Sequence, residues 1–204
     1  MLDSSNRARF DNFWNLLASP IVAIGMSPNQ VTIAGLVLVL ANCGAYIWHR
    51  NACWFGLGLV FSFAFDGLDG AVARRTGKSS KFGGYLDAVV DRYQEAAVFF
   101  TIAWVTGWWA VSFLALIGSL LTSYNKARTA LEIPINNNNW PDLMERLERI
   151  VILCGALILD RFVTLPYLHS TLYLGLLVVA FFSNLTAIQR FWRARGRIRD
   201  AERR

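Results

Sequence analysis

The sequence DGLDGAVARRTGKSSKFGGYLDAVVD occupies residues 66–91 and carries aspartates at positions 66, 69, 87 and 91. Strongly apolar stretches lie on both sides of it. In such surroundings a carboxylate costs several kcal/mol or more unless it is paired or binds a metal. Acids placed this close together therefore predict a bound cation.

The spacing of the acids predicts two pairs on facing helices. Residues three or four apart on a helix share one face, with Cβ atoms roughly 5–6 Å apart. Asp66 and Asp69 form one such pair, and Asp87 and Asp91 form the other. The polar segment 76–82 is rich in Gly, Ser and Lys, which indicates a turn between antiparallel helices. Carboxylates suit Mg²⁺ or Mn²⁺, and two such pairs can hold two ions.

Glycines beside the acids predict a closely approaching ligand. A glycine inside a helix costs about 0.5–1 kcal/mol relative to alanine, so Gly67, Gly70, Gly83 and Gly84 are expected to leave useful space. A nucleotide or diphosphate fits that space, and Arg74 is placed to meet its charge. Small-residue contacts between membrane helices remain an alternative for the glycines, although they do not explain the acids.

Residues 66–91 read Asp-x-x-Asp-Gly-x-x-Ala-Arg, then eight residues, then Gly-x-x-x-Asp-x-x-x-Asp. Taken as a unit, this pattern resembles the signature of the CDP-alcohol phosphotransferase family. The resemblance implies two divalent cations, Mg²⁺ or Mn²⁺, that hold the diphosphate of a CDP-linked substrate. It implies a metal site formed by Asp66, Asp69, Asp87 and Asp91, a general base at Asp91, and a cytidine diphosphate site at Gly70, Ala73 and Arg74.

A second element of the same family is similar to Pro28, Asn29 and Thr32, which match a Pro-Asn-x-x-Thr pattern near the nucleotide. The same residues are also an ordinary helix start. Ser27 suits an N-cap, and Pro28 suits the first helical position.

Composition predicts an all-α integral membrane protein with six transmembrane helices. The chain has 204 residues and is 55% hydrophobic, with a mean hydropathy of +0.38. Charge-free runs cover 31–48, 96–125 and 162–189, whereas one span needs about 20 residues. The second run is long enough to require a break, which we expect at Thr106-Gly107 among tryptophans. The predicted spans are 31–49, 52–75, 84–106, 108–128, 143–160 and 168–192.

Charge asymmetry predicts the orientation. Cytoplasmic loops carry an excess of Lys and Arg, and with the N-terminus inside only Arg50 and Arg161 of the 20 basic residues lie outside. This indicates a multi-pass inner (cytoplasmic) membrane protein with both termini and the active site on the cytoplasmic side. The basic residues lie where the membrane predicts them, so a nucleic-acid partner is not expected.

Three segments are expected along the chain. Residues 1–27 form an N-terminal juxtamembrane segment, residues 28–192 the membrane domain, and residues 193–204 a basic cytoplasmic tail that meets anionic lipid. The first segment is expected to contain an interfacial amphipathic helix. Its apolar positions are Phe10, Phe13, Trp14, Leu16 and Leu17.

The acceptor is predicted from basic residues at the inner ends of later spans. Lys126, Arg149 and Arg190, with Arg146 as a possible helper, resemble the residues that the phosphatidylinositol phosphate synthase branch uses to hold inositol phosphate. For each one alone, a positive-inside charge is the alternative. The loop after Lys126 is rich in Asn and departs from that branch, so glycerol 3-phosphate, inositol and serine stay open as acceptors.

The expected reaction, one of phospholipid biosynthesis, is transfer of a phosphatidyl group from CDP-diacylglycerol to a polar alcohol, foremost inositol 1-phosphate, with release of CMP. A small CDP-alcohol donor remains open. So do an ion-coupled transporter, which intramembrane acids also mark, and a structural metal site between helices. The family resemblance implies a homodimer.

Overall fold

The computed structural model describes residues 14, 16–134, 143–163 and 170–203, and every regular element within them is an α-helix. A short helix, α1, covers residues 16–23. The further helices in the described ranges are α2 (Pro28–His49), α3 (Ala52–Asp66), α4 (Leu68–Thr76), α5 (Lys81–Thr106), α6 (Trp109–Glu132), α7 (Arg146–Leu159) and α8 (Thr171–Glu202). The all-α prediction is confirmed for this part of the chain.

Three helical stretches among the described residues are long and apolar enough to cross a membrane: Pro28–His49, Ala52–Thr76 and Thr171–Glu202. The chain forms two compact units. Unit 1 comprises Met1–Ala45 and Gly58–Ala97, and unit 2 comprises Tyr46–Leu57 and Val98–Arg204.

In unit 1, the start of α2 is a capping box that includes the predicted N-cap Ser27. The Gln30 amide donates to Ser27 Oγ at 3.3 Å, and the Ser27 amide donates to Gln30 Oε1 at 2.8 Å. Two of the otherwise unsatisfied amides at this helix end are thereby paired. The predicted start at Pro28 is confirmed.

Helix α1 packs on α4 through its inward face. Trp14 and Phe65 lie against a buried cluster formed by Ala18, Ile21, Val31, Leu68, Ala71 and Val72. Arg75 also donates to Ser19 Oγ at 2.6 Å, which ties α4 to α1. Leu16 and Leu17 are on the outward side, 71% and 40% exposed. Phe10 and Phe13 of the predicted amphipathic helix lie outside the described residues.

Helices α3 and α4 differ from the single helix that the acid spacing predicts. The chain is interrupted at Gly67, which lies between Asp66 at the end of α3 and Asp69 in the first turn of α4. Glycine has the lowest helix propensity after proline, which accounts for the interruption there. Helix α4 ends at Gly77, whose φ of +66° is the left-handed conformation that glycine adopts readily. The predicted turn in 76–82 is confirmed.

In unit 2, the long apolar run breaks where its sequence predicts. Helix α5 ends at Thr106, Gly107 has φ +77°, and α6 begins at Trp109. Helices α6 and α8 then pack closely, because Gly118 leaves room for Asn184. The Asn184 amide donates to the Leu114 carbonyl at 2.8 Å. Polar links of this kind hold helices together in apolar surroundings.

Helix α8 continues to Glu202, so residues 193–202 of the predicted tail are helical. Helix α7 begins at Arg146 and ends at Leu159, inside the predicted range 143–160. The predicted loop at Asn136–Asn139 lies outside the described residues.

Candidate functional site

Three of the predicted acids come together in unit 1. Oxygens of Asp66, Asp87 and Asp91 lie within 4.8 Å of one another. Asp66 is 2% and Asp91 8% exposed. Clustered carboxylates of this kind repel one another and are stabilised by a cation between them. The arrangement therefore fits a divalent ion, which agrees with the sequence-based expectation for these three residues.

Asp66 is held at this position by a helix contact that the sequence analysis missed. A Cβ atom on Gly35 of α2 would lie 2.6 Å from Asp66 Oδ1 and 3.1 Å from Asp66 Cα. Only glycine lets α2 approach the carboxylate so closely. Gly58 of α3 meets Asn42 of α2 in a similarly close contact. An isolated glycine in an apolar helix was the available signal, but its partner could not be inferred.

Asp69 is not part of the group of three. Its Oδ2 accepts a hydrogen bond from Thr32 Oγ1 at 2.7 Å, and its Oδ1 accepts from the Gly70 amide. Thr32 is 2% exposed. Thr32, which was predicted to lie near the nucleotide, therefore also orients Asp69, a predicted metal ligand. Each Asp69 carboxylate oxygen accepts a hydrogen bond, one from Thr32 and one from the Gly70 amide.

A cleft of about 230 Å³ lies beside the acids in unit 1. Its lining includes the predicted nucleotide residues Pro28, Asn29, Thr32, Gly70 and Ala73, the acids Asp69 and Asp87, and also Lys78, Ser79, Ser80, Gly83 and Gly84. Arg74 is exposed and is not among the lining residues, although its Nη1 would lie 3.5 Å from a Cβ on Gly70. Lys78, Ser79 and Ser80 were predicted only as a turn.

Close packing shapes one wall of this cleft. A Cβ on Gly83 would come within 3.2 Å of Ser80 Oγ and 3.3 Å of Asn29 Oδ1. The Gly83 amide donates to Ser80 Oγ at 2.9 Å. Gly83 therefore brings the first turn of α5 against Asn29, which is the small-residue contact given as the alternative for the glycines rather than open space for a ligand.

Two charged neighbours of Asp91 were also missed. Arg92 Nη1 lies 3.1 Å from Asp91 Oδ2 and forms an ion pair with it. Glu95 is 5% exposed, and its spacing of four residues from Asp91 places it on the same face of α5 as Asp87 and Asp91. Glu95 directly precedes the charge-free run 96–125.

The four predicted acceptor residues belong to unit 2. Arg149 and Arg190 are 3% and 4% exposed, and Lys126 and Arg146 are half-buried. Arg190 donates through Nη1 to the Thr122 carbonyl. Its Nη2 lies 3.7 Å from Glu145 Oε1. Arginines are almost never this buried without a partner, so a lipid-facing charge does not describe Arg149 or Arg190.

Comparison with known proteins agrees with the site. A family model for CDP-alcohol phosphatidyltransferase matches residues 25–182. The chain belongs to this family. The protein is therefore a transferase, and the resemblance drawn from its aspartate pattern is confirmed.

Relatives and solved structures of the family extend along nearly the whole chain. The archaetidylinositol phosphate synthase of Pyrococcus horikoshii is 37% identical over 185 residues, covering 89% of this chain and 90% of the relative. The phosphatidylinositol phosphate synthase of Streptomyces avermitilis is 33% identical over 212 residues, covering 99% and 86%.

A crystal structure of the Mycobacterium tuberculosis phosphatidylinositol phosphate synthase with CDP-DAG bound has a TM-score of 0.78 and 26% identity, covering 90% of this chain and 94% of that one. Another, in complex with manganese and citrate, also has a TM-score of 0.78, with 27% identity and coverage of 89% and 88%.

Proposed function

We propose that the protein transfers the phosphatidyl group of CDP-diacylglycerol to inositol 1-phosphate and releases CMP, a reaction of phospholipid biosynthesis. The observation that carries the proposal is the burial of Arg149 and Arg190 at 3% and 4% exposure. Buried guanidinium groups suit a phosphorylated acceptor, because an arginine can bind two phosphate oxygens at once. The names of the Pyrococcus and Streptomyces relatives differ in the lipid but share inositol phosphate.

The metal site is proposed to hold two divalent cations, Mg²⁺ or Mn²⁺. Asp66, Asp87 and Asp91 supply clustered oxygens, and Asp69 completes the set from the first turn of α4. When bound, the cations neutralise the diphosphate and stabilise the attacking and leaving oxygens. The manganese complex of the Mycobacterium tuberculosis structure supports this proposal.

The cleft of unit 1 is proposed as the CDP site. Pro28, Asn29 and Thr32 form its α2 side, and Gly70 and Ala73 form its α4 side. The space left by Gly70 allows a diphosphate to approach the backbone. Arg74, one turn after Gly70, is proposed to contact the nucleotide from the rim of the cleft.

Asp91 is proposed as the general base. The acceptor hydroxyl gives its proton to the Asp91 carboxylate, and the hydroxyl oxygen forms a bond to the phosphorus that carries diacylglycerol. The bond from that phosphorus to the CMP oxygen breaks, and CMP leaves with the electron pair. Arg92 fixes one Asp91 oxygen at 3.1 Å, which limits rotation of the carboxylate.

Lys126, Arg149 and Arg190, with Arg146, are proposed to bind the acceptor phosphate. Arg146 and Arg149 lie in the first turn of α7, where the helix dipole disfavours a cation by about 0.3–1 kcal/mol. Two arginines at this unfavourable end support a role in binding an anion.

The membrane arrangement is part of the proposal. Six spans, with an amphipathic segment in residues 1–27, a membrane domain in 28–192 and a basic tail in 193–204, would place both termini and the site on the cytoplasmic side of the inner membrane. The three candidate spans and the helix bounds support this topology. A homodimer stays a prediction from the family resemblance.

The deciding experiment measures CMP release by purified protein in detergent with Mg²⁺. CDP-diacylglycerol is offered with inositol 1-phosphate, glycerol 3-phosphate, inositol or serine, and CDP-archaeol is tested as a second donor. Loss of one charged contact is worth about 1.5–3 kcal/mol, so inositol 1-phosphate is expected to exceed inositol by more than about tenfold in kcat/KM. Equal use of inositol would refute the phosphate assignment, and an absence of CMP with every acceptor would refute the reaction.

A further inference from the structure

We propose that Glu145 is a specificity-determining residue that competes with the acceptor. Its carboxylate faces Arg190 until a phosphate displaces it, and it thereby selects phosphorylated acceptors over uncharged ones. The inference rests on the proposed function, because it takes Arg190 as a phosphate ligand.

The two ends of the Arg190 guanidinium have different surroundings. Nη1 donates to the Thr122 carbonyl inside unit 2. Nη2 lies 3.7 Å from Glu145 Oε1, and the side chains of Arg190 and Glu145 are 5% and 54% exposed. That distance exceeds the usual hydrogen-bond range of about 2.7–3.2 Å. A buried backbone oxygen therefore anchors one end of the guanidinium, while an accessible carboxylate lies near the other end beyond hydrogen-bond distance.

Helix capping alone does not explain a glutamate at position 145. Glu145 is the N-cap of α7, and its side chain accepts a bond from the Glu148 amide. Asn, Asp, Ser and Thr are the residues preferred at this position. Aspartate would provide the same charge and a better cap with a shorter side chain. The additional length of glutamate lets the carboxylate approach Arg190.

Charge explains how Glu145 could discriminate between acceptors. A buried guanidinium without a counter-charge is costly, and Glu145 supplies one carboxylate charge at long range. A phosphate monoester brings about −1.5 to −2 charges and three acceptor oxygens, so it can replace the carboxylate at Arg190. Uncharged inositol offers no anion in exchange. A protein can gain specificity by making binding of the wrong ligand unfavourable. Here the wrong ligand is an acceptor without phosphate, and the unfavourable element is the Glu145 carboxylate at Arg190.

The test compares Glu145→Gln and Glu145→Asp with Glu148→Gln as a matched control. All three variants alter a carboxylate of the same capping box, but only the first two change the contact with Arg190. Inorganic phosphate is titrated into the purified full chain without acceptor, and binding is measured from the shift in Tm. The KM values for inositol 1-phosphate and inositol are measured in parallel.

Both Glu145 variants are expected to bind inorganic phosphate about fivefold more tightly, as removal of a weak competing ion pair implies. Their KM for inositol 1-phosphate should fall by a similar factor, with a smaller change in kcat. Their KM for inositol should fall further, because inositol carries no phosphate that displaces Glu145, so the preference for inositol 1-phosphate should narrow. Glu148→Gln should leave phosphate binding unchanged. The aspartate variant keeps the charge and a preferred N-cap, which guards against loss of folding.

Unchanged or weaker phosphate binding in the Glu145 variants would overturn the proposal, because Glu145 would then be inert or would orient Arg190. An equal gain in Glu148→Gln would also overturn it, since the effect would be general electrostatics. The phosphate titration needs no turnover. If no phosphorylated acceptor is consumed, the proposed function is refuted. The phosphate titration still shows whether Glu145 competes with phosphate at Arg190.

Discussion

Substitution of Gly35 by alanine should damage the metal site from a neighbouring helix. The new Cβ would stand 2.6 Å from Asp66 Oδ1 and 3.1 Å from Asp66 Cα, whereas carbon atoms in contact are about 3.5–4.0 Å apart. Rotation of the Asp66 side chain relieves only the first contact, because Cα belongs to the backbone. Helices α2 and α3 must therefore separate by about 0.5–1 Å.

The separation sets the size of the effect. Overpacking of this kind costs about 1–3 kcal/mol of folding stability, and a displacement of about 1 Å in an active site can cost about 10²-fold in rate. We expect kcat/KM for CMP release to fall about 10- to 100-fold, with a higher Mg²⁺ requirement. Binding of Mn²⁺, measured by electron paramagnetic resonance on the purified variant, should weaken in parallel.

Gly44 of the same helix provides the control, since a Cβ there would meet nothing within 4 Å. Gly44→Ala should retain full activity and Mn²⁺ affinity, with stability unchanged or slightly raised by the better helix former. Wild-type Mn²⁺ affinity and activity in Gly35→Ala would show that the glycine contact does not position Asp66.

Three further substitutions test separate parts of the site. Asp91→Asn should keep Mn²⁺ and CDP binding but lose turnover, and retained turnover would exclude Asp91 as the base. Thr32→Val removes the hydroxyl that donates to Asp69 at 2.7 Å; a bond to a charged group is worth about 1.5–3 kcal/mol, so activity should fall about tenfold or more, with recovery in Thr32→Ser. Arg149→Ala should raise the acceptor KM about tenfold or more while CDP-diacylglycerol binding stays near wild type, and an unchanged acceptor KM would contradict the phosphate-binding role.

Features encoded by nearby residues could be predicted from the sequence. The α2 start was predicted from Ser27 and Pro28, which are adjacent in the chain. The break at Gly107 follows from a run too long for one span and from a residue that tolerates positive φ. Grouping of Asp87 and Asp91 follows from helical periodicity. Each of these depends on short-range geometry that repeats in all proteins.

Features that depend on contacts between distant residues could not be predicted. Gly35 approaches Asp66 across 31 positions, and Thr32 contacts Asp69 across 37. No local pattern specifies such partners. The interruption at Gly67 was missed for another reason. The three-residue spacing of Asp66 and Asp69 fits a continuous helix as well as two helices interrupted at Gly67. The burial of Glu95 was missed because hydropathy averages conceal one acid beside an apolar run.

The close pairing of α2 with α3 has a consequence for synthesis of the protein. The Gly35–Asp66 and Asn42–Gly58 contacts join helices that are adjacent in the chain, so they need no residue beyond position 66. A nascent polypeptide can therefore assemble this helical hairpin, with Asp66 already in place, while the ribosome is still translating α5. Synthesis of α5 then adds Asp87 and Asp91 to the carboxylate group. The three acids therefore come together in the order in which they are translated.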